Sequence, residues 1–217
     1  MYKQSIISVI VLISIQLLSI NAFINFIPYS PTDTACAGEV QGFGFGIPDG
    51  ECVGNSELVD LPGSYFIQVY NDTQVLLNTY INIEFGNDCS GHPTSSHIYN
   101  VGECEYDTEG SFDETDYSYL TFNTTNPYPL IPDNSVVMEV YDHYCTELVS
   151  YYFYTNQTTI GTENTILFTY YCQPGTNLPY EYSCNDHNKC DNLNLYSDCN
   201  KAYKTWVKVY CMDSSQY

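Results

Sequence analysis

The sequence predicts an all-β fold, an antiparallel sandwich or barrel-like arrangement that is rich in disulfides and carries an irregular N-terminal arm. Three observations support this. Short runs rich in Tyr, Phe, Val, Ile and Thr recur from Ser64 onward, separated by Asn, Asp, Gly and Pro. Such residues suit a pleated, half-buried surface, and the separators are turn formers. No stretch comparable in length shows the apolar period of 3.6 that a surface helix requires. Ten cysteines follow an apolar leader, and in an oxidising export route that count reads as a covalent framework.

Taken in order, Lys3 precedes an apolar stretch of 13 residues, Ile6 to Leu18, and Ala22 supplies a small residue for cleavage. The order of charge, short apolar core and small residue predicts a signal peptide over 1–22, cut after Ala22. Its core is shorter than the ~20 apolar residues of a spanning helix. Residues 23–63 are rich in Pro and Gly, notably Gly42-Phe43-Gly44-Phe45-Gly46 and Pro48-Asp49-Gly50. This turn chemistry predicts an irregular arm, fastened by Cys36 and Cys52 either to each other or to the body.

The remainder, 64–217, is expected to form a β-rich, disulfide-bonded domain. Ile81, Ile83 and Phe85 alternate with Asn82 and Glu84, and strand texture returns at Tyr117 to Phe122, Val136 to Tyr141, Leu148 to Tyr154 and Thr165 to Tyr171. Near the end, Thr205, Val207, Val209 and Cys211 alternate with Lys204, Trp206, Lys208 and Tyr210. That alternation predicts a strand with one face buried and one wet. Asp191 to Tyr203 is the expected place for a short helix. Phe66 to Tyr70, Val137 to Tyr141 and Trp206 to Tyr210 echo one another at intervals of 71 and 69 residues. The echo admits a duplicated β unit around 64–131 and 132–217, and five-residue strand patterns also recur by chance.

Charge restricts the partners. No Lys or Arg occurs from Phe23 to Asn188. After cleavage, four lysines (Lys189, Lys201, Lys204 and Lys208) stand against 26 carboxylates, a formal charge of −22. A polyanion repels nucleic acid and attracts cations or basic surfaces. No later stretch is long and apolar enough to cross a bilayer, so no stable membrane insertion is expected after cleavage. Cys36, Cys52, Cys89, Cys104, Cys145, Cys172, Cys184, Cys190, Cys199 and Cys211 are expected to form five disulfides with open connectivity. A zinc site at Cys184, His187 and Cys190 competes less well, since the paired thiolate clusters of zinc modules are missing. Asn71, Asn123 and Asn156 each open an Asn-x-Thr acceptor for N-glycosylation.

Candidate chemistry is sparse. The fragment Cys184-Asn185-Asp186-His187-Asn188-Lys189-Cys190 resembles the histidine helix of secreted phospholipases A2, but Asn188 stands where that family places a calcium-binding aspartate. The Gly-rich calcium loop is also missing, so a disulfide-bracketed loop is the better reading. Asp107, Glu109, Asp113 and Asp116 lie in a segment with five carboxylates in ten residues, which could wrap Ca²⁺. The glycine position does not match an EF-hand, and a solvated acidic loop is the alternative. No cofactor is otherwise indicated. No Gly-x-Ser-x-Gly occurs, and His92, His97 and His143 have no evident nucleophile partner. The 23 tyrosines can serve either as binding anchors for sugars or proteins or as strand formers that pack their rings.

Phe66 to Asn71, Val137 to Cys145 and Trp206 to Cys211, with the leader, the dispersed cysteines and the Asn-, Thr- and Tyr-rich texture, resemble small secreted proteins of social amoebae related to counting-factor-associated proteins. The resemblance implies an extracellular role in signalling that regulates group size. The expectation is thus a secreted acidic glycoprotein that binds a cell-surface or secreted protein or glycan. A secreted hydrolase centred on His187 or a carboxylate pair, and a matrix or coat glycoprotein, are the alternatives.

Overall fold

The computed structural model describes residues 22–54, 64–80, 89–106, 117–124, 131–161, 167–184, 189–202 and 206–213. Residues 1–21 of the leader, Ile81 to Phe85, the acidic segment Asp107 to Asp116 and His187 lie outside the described residues. Among the described residues there is no helix, and strands form three antiparallel sheets.

The largest sheet contains β1 (Phe23–Tyr29), β2 (Phe43–Pro48), β7 (Cys104–Tyr106), β8 (Ser118–Thr124), β9 (Val136–Tyr141), β10 (Leu148–Tyr154) and β15 (Val207–Cys211), in the order β15-β9-β10-β2-β1-β8-β7. A second sheet is built from β3 (Cys52–Val53), β4 (Ser64–Asn71), β5 (Gln74–Tyr80) and β6 (Ser95–Asn100), paired in sequence order. The third consists of β11 (Thr158–Gly161), β12 (Leu167–Gln173), β13 (Leu178–Cys184) and β14 (Cys190–Asn194), again in sequence order.

The irregular arm expected over 23–63 is overturned over Phe23–Tyr29, Phe43–Pro48 and Cys52–Val53, which are strands. Its residues supply β1 and β2, interior strands of the largest sheet, and every residue of both is buried. The alternation Gly42-Phe43-Gly44-Phe45-Gly46 is a strand pattern, because Phe43 and Phe45 enter the core while Gly44 and Gly46 face the other way. Gly46 is the register partner of Tyr151, and Gly44 of Phe153. A Cβ built on Gly46 would stand 2.0 Å from the Tyr151 ring, and one on Gly44 2.3 Å from the Phe153 ring. Glycine is needed here for space beneath two aromatic rings. Between β1 and β2, residues 30–42 loop over the sheet, and Cys36 ties them to Cys104, while 55–63 lie outside the described residues.

The main core lies between one face of the largest sheet and the two smaller sheets. Ile24, Phe26, Phe43, Phe45, Tyr152, Val136 and Val209 meet Tyr65, Ile67, Val75, Leu77 and Tyr99 of the second sheet, and Ile160 and Cys172 of the third. Phe26 stacks on Phe45 at 4.5 Å and meets Tyr99 edge-on at 5.0 Å. Such aromatic pairs add about 0.5–1.5 kcal/mol each beyond area burial. The opposite face of the large sheet holds a second cluster around Phe23, Ile27, Tyr29, Val137, Tyr151, Phe153 and Met212. With both faces covered, its inner strands read as near-continuous apolar runs, and the alternation of a one-sided strand is absent.

Tyr151 and Tyr152 accordingly point to opposite clusters, and neither is a surface anchor. Burial pushes the Tyr152 phenol up to about 12 and raises that of Tyr151 as well. Tyr151 donates its hydroxyl proton to Asn25 Oδ1, while Asn25 Nδ2 donates to the Phe23 carbonyl at 3.0 Å. This pairing satisfies a fully buried amide, which would otherwise cost about 1–3 kcal/mol.

Five disulfides join the ten cysteines as Cys36–Cys104, Cys52–Cys89, Cys145–Cys199, Cys172–Cys211 and Cys184–Cys190. Both cysteines of the N-terminal segment therefore bond to the body. Cys172–Cys211 fastens β12 of the third sheet to β15 of the largest one. The short helix expected at Asp191 to Tyr203 is also overturned over its described part. Asp191–Asn194 belong to β14, and Ser197 bridges to Val209. The Cys184–Cys190 bond joins register partners of β13 and β14, and this close pairing favours an extended continuation. The last strand follows its predicted alternation, with Val207, Val209 and Cys211 buried and Lys208 and Tyr210 half-buried.

Candidate functional site

Two regions bring polar and aromatic side chains together. In the first, the carboxylate of Glu139 on β9 is only 2% exposed. It accepts hydrogen bonds from the Tyr141 hydroxyl at 2.7 Å, the Tyr210 hydroxyl at 2.9 Å and Lys208 Nζ at 3.2 Å. Strand pairing explains the meeting, since Lys208 of β15 is the register partner of Glu139. A buried carboxylate requires such partners, because an unpaired charge in the interior is strongly unfavourable. Lys208 also lies 4.5 Å above the Tyr210 ring. The two side chains border an open cleft of about 410 Å³, also lined by Thr176, Asn177, Tyr196 and Asp198. With its cation already committed to Glu139, this cluster reads as a structural ion pair at a strand edge.

The second region is the outward face of the third sheet. In an antiparallel sheet, register partners share a face. One row across it is Thr159, Thr169, Tyr182 and Asn192, and a second contains Tyr171, Tyr180 and Asn194. The opposite face carries Ile160 and Cys172, which enter the core, with Tyr170 stacked on Tyr154 at 3.8 Å. That packing fixes which face looks outward. Tyr171 stacks on Tyr180 at 5.7 Å, and its hydroxyl lies 2.8 Å from Asn192 Nδ2 and 3.1 Å from Asn192 Oδ1. The hydroxyls of Thr159 and Thr169 are 2.9 Å apart. Tyr182 is 42% exposed. Gln157, Thr159, Thr169, Tyr171 and Tyr182 line an open groove of about 490 Å³.

Among the described residues, this outward face has no charged side chain. The sheet's carboxylates, Glu181 and Asp191, occupy the other face, as the register Glu181 to Tyr170 and Asp191 to Ser183 requires. Burial raises the Glu181 carboxyl above its ordinary range, and a hydrogen bond from Tyr170 opposes that shift. In a chain of 26 carboxylates, the groove is thus electrically neutral and bordered by hydroxyls, amides and phenol rings.

The sequence-predicted residues are scattered. Asn71 is exposed on the hairpin joining β4 to β5, where its side chain binds Thr73 and Gln74. Asn156 is exposed on the turn between β10 and β11, beside the groove residue Gln157, and its Oδ1 accepts from the Cys172 amide at 3.3 Å. Asn123 belongs to β8, and its side chain lies outside the described residues. So do the calcium candidates Asp107, Glu109, Asp113 and Asp116 and the phospholipase-like His187. Among the described residues no group of three metal-ligating side chains gathers. His97 pairs with Glu105 at 3.6 Å and packs on Tyr99, while His143 packs on Trp206 at 5.0 Å. The neutral face escapes single-residue scanning, although the alternation Leu167, Thr169, Tyr171, Gln173 and the following Tyr180, Tyr182 contain its signal.

An all-β core fastened by five disulfides defines a protein of the extracellular space or the secretory pathway, where thiols are oxidised. The chain belongs to the counting factor-associated protein A/B/C family, whose model matches residues 2–211. No curated protein and no solved structure matches it.

Proposed function

We propose that the chain is exported by its leader, cleaved after Ala22 and N-glycosylated at Asn71, Asn123 and Asn156, and that it acts outside the cell by binding a partner in signalling that sets group size. Membership of the counting factor-associated family supports the group-size role. The observation that carries a binding role is the outward face of the third sheet, where Tyr171, Tyr180, Tyr182 and Asn192 stand on a disulfide-fastened frame. Tyrosines held on a rigid sheet lose little side-chain freedom on contact, which favours recognition.

The test is binding of labelled mature protein to intact cells of its own source. Saturable binding, competed by unlabelled protein, is the expected result. Absence of binding at every ionic strength would overturn the reading. A chelator arm reports on the acidic segment Asp107 to Asp116, and only a calcium-dependent partner would lose binding there.

A further inference from the structure

We propose that the groove on the outward face of the third sheet binds neutral oligosaccharide chains of the cell surface, an inference that deepens the binding role above and rests on it. The chemistry of the face selects the ligand class. A sugar presents hydroxyls that both donate and accept, together with C–H faces that pack on aromatic rings. Thr159, Thr169, Gln157 and Asn192 offer hydroxyl and amide groups of matching versatility. Tyr171 and Tyr182 supply rings bordering the same groove. The volume of about 490 Å³ falls within the range of small-ligand sites.

Electrostatics favour the same choice over its competitors. The mature protein carries a formal −22, yet the groove has no carboxylate and no cation among its lining residues. A basic protein would be drawn to the acidic surfaces elsewhere, and an acidic glycan would find no counter-charge here. A lipid surface calls for basic residues beside an apolar wedge, and the lining offers neither. An apolar protein hot spot needs a desolvated aliphatic or aromatic centre. On this face the exposed leucine, Leu167, pairs with Cys184 in the row beyond Thr169 and Tyr182, outside the groove lining.

The arrangement is also organised in advance. The contact of the Tyr171 hydroxyl with the Asn192 amide and its stack on Tyr180 hold the ring in place. The Thr159–Thr169 contact orients two further hydroxyls. Fixed donors and acceptors reduce the ordering cost of a weakly held ligand.

The experiment uses the full mature protein on an array of neutral and acidic oligosaccharides, followed by titration calorimetry with a neutral hit, before and after enzymatic removal of its own N-glycans. Binding of neutral glycans in either form supports the proposal, and the trimmed form excludes occupation of the groove by sugar carried on nearby Asn156. Affinity should be unchanged between low and high salt, because no charge lines the groove. Tyr182→Ala should weaken binding at least tenfold, whereas Tyr70→Ala, on the exposed end of β4, should leave it unchanged. Both substitutions remove exposed rings, so circular dichroism of either variant should match the parent.

Failure to bind any neutral glycan in both forms, a preference for acidic glycans, or full affinity in folded Tyr182→Ala would overturn the proposal. The broader role is judged separately on cells. Cell binding that survives enzymatic stripping of surface glycans and the Tyr182→Ala change would sink the glycan assignment and leave extracellular binding standing. Glycan binding on the array with no cell binding would keep the groove's preference for sugars but overturn its cell-surface source together with the broader role.

Discussion

Gly46 and Gly44 are small because rings lie over them. The Cβ of an alanine at 46 would meet the Tyr151 ring at 2.0 Å, and Tyr151 is itself fully buried and bonded to Asn25. The ring therefore has nowhere to retreat. Gly46→Ala should destabilise the fold by about 1–3 kcal/mol, the usual cost of overpacking a closed interior. Chemical denaturation under non-reducing conditions measures it, and a stability equal to the parent would refute the account. By contrast, Gly50, in the turn between β2 and β3, has a φ of 77° and open space around it. There the requirement is conformational. The same residue type in one short segment thus answers to two different physical demands, and only the register with β10 separates them.

At the scale of elements, acidic side chains help to organise loops that disulfides also fasten. Asp33 accepts from the amides of Ala35, Ala37 and Gly38, the last at 2.8 Å, and so shapes the loop that carries Cys36. Asp142 does the same on the turn between β9 and β10, accepting from the amides of Thr146 and Glu147. These bonds favour the charged form and hold both carboxyls below the ordinary value of 3.8, with the Gly38 and Thr146 amides the leading causes. Because the folded value is depressed, the stabilisation is present above pH 3.8 and disappears as pH falls through the lower folded value. The carboxyl carbon shifts of Asp33 and Asp142 should therefore titrate below 3.8 by NMR, moving together with the amides of Gly38 and Thr146. Titration at or above 3.8 would show that the loops are held by something else.

The third sheet shows how an element acquires a function. Its inner face is committed to the core through Ile160, Cys172 and the Tyr154–Tyr170 stack. The other face is left to solvent, and period two places Thr169, Tyr171 and Tyr182 there. Removing the fastening to β15 by Cys172→Ala with Cys211→Ala should lower stability by about 2–4 kcal/mol. Hydrogen exchange should quicken across β11 to β14 more than across β1 and β2, whose burial does not depend on this bond. Equal quickening everywhere would mean that the sheets open as one unit.

For the whole molecule, five disulfides and a two-sided central sheet counter a formal charge of −21. Self-repulsion opposes the compact state and is screened by salt. The Tm should rise between about 0.01 M and about 0.1 M salt, where the screening length falls from about 30 to about 10 Å. A falling Tm over that range would indicate that ion pairs such as Glu139–Lys208 outweigh the repulsion.

The all-β class is legible in the chain because β-branched and aromatic runs between turn formers satisfy a purely local rule, and β8, β9, β10, β12 and β15 overlap the runs that carry it. The even cysteine count likewise allows full pairing without any knowledge of shape, and no cysteine is left free. The places where local reading fails are those where a distant partner decides. Glycines in β2 resemble a loop until Tyr151 and Phe153 lie over them, and β14 resembles a helix until Cys184 draws Cys190 into register. Of the neutral groove only the alternation along each strand is legible, since Gln157, Thr169, Tyr171 and Tyr182 become neighbours through strand pairing. The sequence by itself determined composition, charge and β-periodicity, which act through near neighbours. Tertiary structure alone decided which residues are covered, which cysteines pair and which tyrosines face water, because these depend on contacts between segments far apart in the chain.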